Sequence, residues 1–184
     1  LRSRLDRFYQ KVSGLSHLNV VRKSDFSADE AYDFDESKII IFTKEAMNGH
    51  TLLELLLKKY ELQLEMAAGN YVLALASVMD TDEGFDRLAD ALIEIDSQLE
   101  KYKSDFEEFY DILKQDGVVH QFYFPVKMDT TIYQKLPAVM EMYDAYDADH
   151  QAVYAFKASG KVSGAFINIY PPGIPLVVPG EIMN

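Results

Sequence analysis

The chain has 184 residues, 48% of them hydrophobic and 26% charged, a globular profile with room for one large or two small domains and a proper core. Thirty acidic against eighteen basic residues give a net charge of −12, which argues against nucleic acid or an anionic membrane as partner and favours cationic ligands or plain solubility. Cysteine is absent, so there is no disulfide framework, thiol nucleophile or thiolate metal site, and the composition fits a cytoplasmic protein.

Leu1, Leu5, Phe8, Tyr9 and Val12 recur at helical spacing with Arg2, Arg4, Arg7 and Lys11 between them, which predicts an opening helix stopped at Gly14. No capping residue precedes it, and the expectation is a piece cut from a longer polypeptide. Leu18 to Arg22 reads as a short strand, the polar Ser24 to Ser37 as a loop, and Lys38 to Thr43 (KIIIFT) as a strand buried on both faces. Thr51 followed by Glu54 is a capping box for a helix over Leu52 to Lys59. The apolar run Leu52 to Leu57 is broken by Glu54 and is too short to span a bilayer.

Leu62, Leu64 and Met66 then alternate with Gln63 and Glu65, the period of a half-buried strand. Gly69-Asn70 makes a hairpin connection into a strand over Tyr71 to Val78. Thr81 caps the next helix, whose apolar positions Phe85, Leu88, Ala89, Leu92, Ile95, Leu99 and Tyr102 step by three and four. Between Asp80 and Asp116 the sequence carries thirteen acids and four bases, so −9 of the net charge lies on one helical region and reads as a solvated face. The order strand, strand, helix, strand, strand, helix predicts an α+β layer, a mainly antiparallel sheet with helices on one face.

After a soft boundary near residue 104 the pattern changes, giving a small α+β domain over 1–104 and a second over 105–184. Phe106, Phe109, Tyr110 and Leu113 suggest a helix ended by Gly117, Val118 to Phe124 a strand, and Ile132 to Tyr146 a helix started or interrupted by Pro137. Gln151 to Lys157 and Val162 to Tyr170 read as strands joined at Ser159-Gly160. They lead into YPPGIPLVVPGE, Tyr170 to Glu181, which holds four of the six prolines (Pro171, Pro172, Pro175, Pro179) and Gly173 and Gly180. Prolines and glycines in turn positions reduce the unfolded alternatives of this loop, and Ile174, Leu176, Val177 and Val178 anchor it.

Few residues point to chemistry by themselves. His17, His50, His120 and His150 are far apart in sequence and have no acidic or histidine partner at metal-ligand spacing, so no metal site is expected. GKVSG at Gly160 to Gly164 is neither a nucleophile elbow nor a phosphate loop. Glu65 differs from the other carboxylates because it lies between Leu64 and Met66, on a strand face that must be polar, open or a ligand surface.

The proline loop, preceded by ASGKVSGAFINI from Ala158, closely resembles the C-terminal signature of the pyridoxal-phosphate-dependent ornithine/lysine/arginine decarboxylases. Tyr60 to Ala91 (YELQLEMAAGNYVLALASVMDTDEGFDRLADA) is similar to the end of the small domain of the same enzymes. The resemblance implies the small domain of a fold type I enzyme followed by a C-terminal domain truncated at its end, in a cytoplasmic decarboxylase that is a homodimer or higher oligomer. It implies pyridoxal 5'-phosphate in the full-length enzyme, with the cofactor-binding and catalytic groups in a large domain preceding Leu1. No catalytic or cofactor-binding residue is therefore assigned here. It places Glu65 opposite the distal cation of a basic amino-acid substrate, where charge-assisted hydrogen bonds are worth roughly 1.5–3 kcal/mol each. Tyr170, Pro171, Pro172, Gly173 and Glu181 are implied to shape the pocket entrance, Glu181 either steering a cation or capping a helix. The isolated chain is expected to be inactive. The alternative reading is a non-enzymatic acidic dimerisation or binding module; a metal-dependent hydrolase is disfavoured by the histidine spacing.

Overall fold

The computed structural model describes residues 1–27, 29, 32–44, 46–103, 106–117, 134–170 and 173–183. It divides into two units, Leu1–Met128 and Asp129–Asn184.

In the first unit, α1 (Arg2–Lys11) leads to β1 (Asn19–Val20) and β2 (Lys38–Phe42), then α2 (Gly49–Tyr60), β3 (Met66–Ala68), β4 (Tyr71–Leu75), α3 (Asp82–Lys101) and α4 (Phe106–Gln115). The strands form one antiparallel sheet in the order β1-β2-β4-β3. Strand periodicity turns Val20, Ile39, Ile41, Ala67, Val72 and Ala74 to one face, where they share a core with Leu5 and Phe8 of α1, Leu52, Leu55 and Leu56 of α2, and Phe85, Leu88, Leu92, Ile95 and Leu99 of α3. The α+β expectation of an antiparallel sheet with helices on one face is met. Ile40 and Phe42 on the other face are only half-buried, so β2 is not closed on both sides as its sequence suggested.

Three boundaries differ from the sequence reading. Helix α2 begins earlier: Asn48 caps it, its side chain accepting from the His50 N–H at 2.9 Å, and Thr51 is fully buried inside the helix. An Asn N-cap competes well with Thr, and Gly49 N–H is also satisfied by the Gly69 carbonyl at 2.8 Å. Strand β3 begins where the expected strand ended, leaving Leu62 to Leu64 as connection. Helix α4 lies in the first unit rather than the second: Phe109, Tyr110 and Leu113 belong to its core. Burial pushes the Tyr110 phenol pKa up, with Thr51 and Asn48 of the α2 start opposing.

The acidic face of α3 is not simply solvated. Arg4 and Arg7 both reach Asp82 at 2.9 Å, and Lys11 reaches Asp86 at 3.4 Å and Asp90 at 2.8 Å. An i, i+4 row of acids on α3 thus faces the basic row of α1. Further along α3, Asp96 is buried, and its carboxylate accepts the backbone N–H groups of Ser16 (2.9 Å), His17 (2.8 Å) and Leu18 (2.8 Å). It supplies the hydrogen bonds that the α1–β1 connection cannot make to itself.

The second unit contains α5 (Met142–Asp147) and a hairpin of β5 (Ile167–Ile169) and β6 (Ile174–Val177) with a register shift between Ile167 and Asn168. The long helix expected to Tyr146 is reduced to this short one. Pro137 starts no helix; its carbonyl accepts from Ile182 N–H at 2.9 Å, beside a bridge between Ala138 and Glu181. Gln151 to Lys157 is not a strand, and Ala155–Lys157 forms a 3-10 turn. These residues alternate only weakly in polarity, and no neighbouring strand pairs with them among the described residues. The strand expected at Val118 to Phe124 lies outside the described residues. The hydrophobic side chains buried among the described residues of this unit are Ala145 and Ala158, while Tyr143, Tyr154, Phe156 and Tyr170 are more than 70% exposed.

Candidate functional site

Glu65 stands at a bend just before β3, exposed, its backbone N–H donating to the Leu73 carbonyl at 2.9 Å. The chain reaches it from α2 through a closed helix end. Glu61 takes a left-handed conformation (φ 53°), and Leu62 N–H returns to the Leu56 carbonyl at 2.9 Å, closing the helix end around the left-handed residue. Arg87 of α3 donates to the carbonyls of Tyr60 (2.9 Å) and Glu61 (3.5 Å). Leu62 and Leu64 pack against the core, so Glu61, Gln63 and Glu65 emerge together as the exposed positions of the segment. Neither the Gln63 nor the Glu65 side chain has a partner among the described residues. A carboxylate and an amide held on an anchored backbone, both unpaired, can bind a cation without first breaking an internal bond.

Within the proline loop, Ile174–Val177 is the second strand of the β5–β6 hairpin. Gly173 closes the turn: its N–H donates to Ile169 O at 2.8 Å, and its φ of 93° is a conformation that favours glycine. Tyr170 is 84% exposed at this tip. Pro171 and Pro172 lie outside the described residues. Beyond β6, Val178-Pro179-Gly180-Glu181 is a tight turn closed by Glu181 N–H to Val178 O at 3.2 Å.

Glu181 is the last residue of this turn. It is 9% exposed, and its Oε2 accepts from the Val178 N–H at 3.0 Å, clamping the turn that it ends. Its carbonyl accepts from Ser163 N–H at 2.8 Å, and Gly180 N–H donates to Ser163 O at 2.8 Å. The sequence placed Glu181 with the entrance residues; the geometry makes it the internal brace of their unit. Glu65 belongs to the first unit and the hairpin residues to the second.

Each unit also carries recesses. In the second unit a groove of about 690 Å³ is lined by Tyr146, His150, Val153, Lys161, Ser163 and Ile167 among others. The His150 Nε2 donates to Ala145 O at 3.0 Å, so Nε2 carries a proton, because a carbonyl only accepts. In the first unit a polar recess of about 530 Å³ is lined by Asp6, Tyr9, Arg22 and Glu36 among others. Burial, then the charge of Glu36, pushes the Tyr9 phenol up to about 12, and its hydroxyl donates to the Glu36 carbonyl at 3.2 Å.

Among the described residues no three His, Asp or Glu side chains are grouped to hold a metal ion, and no helix is long and apolar enough to cross a membrane. Every described lysine is exposed. A lysine that forms an imine needs a desolvated setting to lose its proton, so the described residues do not fit the anchoring of pyridoxal phosphate.

Comparison with known proteins adds what geometry alone does not. The family model for the Orn/Lys/Arg decarboxylase C-terminal domain matches residues 127–184. Arginine decarboxylase of Bacillus subtilis is 29% identical over 156 residues, covering 84% of this chain and 28% of that protein. Arginine decarboxylase of Halalkalibacterium halodurans is 27% identical over 181 residues, covering 97% of this chain and 33% of that protein. The chain therefore spans about a third of the length of these curated relatives. The fold is similar to the constitutive lysine decarboxylase of E. coli, with TM-score 0.60 at 15% identity over 99% of this chain and 34% of that one. It is also similar to a lysine decarboxylase of Francisella novicida, with TM-score 0.64 at 16% identity over 98% and 33%. Residues 127–184 thus match the Orn/Lys/Arg decarboxylase C-terminal domain model, and the chain as a whole is similar to part of proteins named arginine decarboxylase.

Proposed function

We propose that this chain is the C-terminal part of a pyridoxal-phosphate-dependent decarboxylase of a basic amino acid, arginine foremost, yielding agmatine, or a diamine if lysine or ornithine is used. The carrying observation is similarity along nearly the whole chain to proteins named arginine decarboxylase. The cofactor would be held by residues outside those described, and no step on it is assigned to this chain. The chain's own contribution is on the substrate side: Glu65 meets the distal cation, supported by its exposed, unpartnered carboxylate on a backbone tied to α2 and β4. Tyr170 and Gly173, with Pro171 and Pro172 between them in sequence, form part of the pocket entrance, supported by the exposure of Tyr170 beside the β5–β6 hairpin. A homodimeric or larger cytoplasmic assembly belongs to the same proposal, and the exposed aromatic side chains of the second unit favour it.

The test is a decarboxylation assay of the full-length protein with arginine, lysine and ornithine in parallel, wild type against Glu65→Gln. Loss of one charge-assisted hydrogen bond predicts a KM raised about tenfold or more. An unchanged KM removes Glu65 from the site, and no carbon dioxide release from any of the three removes the reading altogether. The isolated chain, supplied with cofactor, should release none.

A further inference from the structure

Resting on the reading of Glu65 as the residue that meets the substrate's distal cation, we infer that Gln63 is the second half of that subsite and that the pair selects a guanidinium over an ammonium.

Three observations carry this. Gln63 and Glu65 are alternate residues of one short segment, both exposed and both without a side-chain partner among the described residues, while Leu62 and Leu64 between and before them pack against the core. The segment is tied at both ends, through Leu62 N–H to Leu56 O and Glu65 N–H to Leu73 O, each 2.9 Å. It leaves α2 through Glu61, one of two non-glycine residues with positive φ among those described. A left-handed non-glycine residue costs about 1 kcal/mol or more and persists where its surroundings hold it; here the holding bonds are the Leu62 closure and the Arg87 guanidinium on Tyr60 and Glu61.

The spacing has a chemical consequence. Residues two positions apart in the chain stand at most about 7 Å apart. A guanidinium carries five N–H donors in a planar fork, so a carboxylate that takes two along one edge leaves three for acceptors on the other edges. An ammonium has three donors around one nitrogen and leaves at most one or two after meeting a carboxylate. The Gln63 amide oxygen is a neutral acceptor displaced to one side of the carboxylate. It satisfies a guanidinium edge that would otherwise be desolvated without a partner, which is the expensive case, and gives a compact ammonium little that Glu65 does not already give.

The experiment compares wild type, Gln63→Ala, Gln63→Glu and Glu65→Gln in the full-length protein, measuring KM and kcat separately for arginine and lysine. Gln63→Ala should raise KM for arginine about tenfold with kcat nearly unchanged, as loss of one hydrogen bond formed equally in ground and transition states, and should move the lysine KM by less than about twofold. Gln63→Glu retains an acceptor and should restore arginine binding. Because Gln63 is exposed, unchanged far-UV circular dichroism should accompany both variants. An equal loss for both substrates, or no loss for either, overturns the inference while leaving decarboxylation intact. Wild-type preference for lysine over arginine overturns it too. Failure of wild type on every basic amino acid overturns the proposed function as well, so the two failures are told apart.

Discussion

Replacing Asp96 with alanine tests the firmest long-range connection in the first unit. The carboxylate accepts three backbone N–H groups from residues 78 to 80 positions away in sequence, at 2.8–2.9 Å. Hydrogen bonds to a charged acceptor contribute roughly 1.5–3 kcal/mol each, but bonds sharing one acceptor are not additive. After truncation water can reach the exposed Ser16 N–H, whereas Leu18 is fully buried and its N–H is left unsatisfied. The expected loss for Asp96→Ala is therefore about 3–5 kcal/mol, a large share of the 5–15 kcal/mol that holds a typical domain. Asp96→Asn keeps one acceptor oxygen for His17 and Leu18 and should cost about half as much. Tryptophan is absent, so urea unfolding is best followed by far-UV circular dichroism, with Asp111→Ala on the exposed face of α4 as control. A midpoint for Asp96→Ala within the error of that control would refute the role given to the carboxylate.

Acid should loosen the α1–α3 contact. Hydrogen bonds from Arg7 and Arg4 hold the Asp82 carboxyl below its ordinary 3.8, and Lys103 and His17 do the same for Glu100 relative to 4.5. A lowered carboxyl pKa contributes stability above the unfolded value that is lost as pH falls through the folded one, so the urea midpoint should drop progressively below about pH 4. An Arg4→Gln, Arg7→Gln double variant should show a shallower decline; an identical pH profile would remove the pair from the account. In the second unit, Gly180→Ala should disrupt the Glu181 turn. A Cβ there would lie 2.2 Å from the Met140 carbonyl oxygen, and φ is 93°. Amide exchange at Val139 and Ser163, which donate to Gly180 and Glu181, should accelerate about tenfold or more, the equivalent of 1.4 kcal/mol. Unchanged protection would mean that the backbone accommodates the methyl group.

Recognition and architecture came largely from local features. Helical spacing in α1 and α3, the β-branched run of β2, Thr81 as the α3 cap and Gly69-Asn70 as a hairpin turn are patterns within a few residues, and each survives in the structure. They were legible because the period of buried side chains is fixed by the local backbone geometry. The long proline signature carried the family resemblance for a similar reason, since turn geometry constrains its residues one by one. Local rules also misled where two of them competed, as at Asn48 and Thr51 for the start of α2. They misled again in the second unit, where no pairing partner for Gln151 to Lys157 lies among the described residues.

Tertiary structure decided the rest, because what a carboxylate does depends on what the fold brings to it. Asp82, Asp86 and Asp90 looked like a solvated face until α1 supplied Arg4, Arg7 and Lys11. Asp96 looked like one more acid of that helix, yet it is buried against Ser16, His17 and Leu18. The resemblance grouped Glu181 with Tyr170 at the pocket entrance, and its Oε2 is bonded within its own turn. Glu65 and Gln63 are distinguished from these by the opposite finding, an anchored backbone with unpartnered side chains. Composition and spacing count acids; only the positions of distant donors, set by packing of the core, separate the carboxylates that brace the fold from those left without a partner.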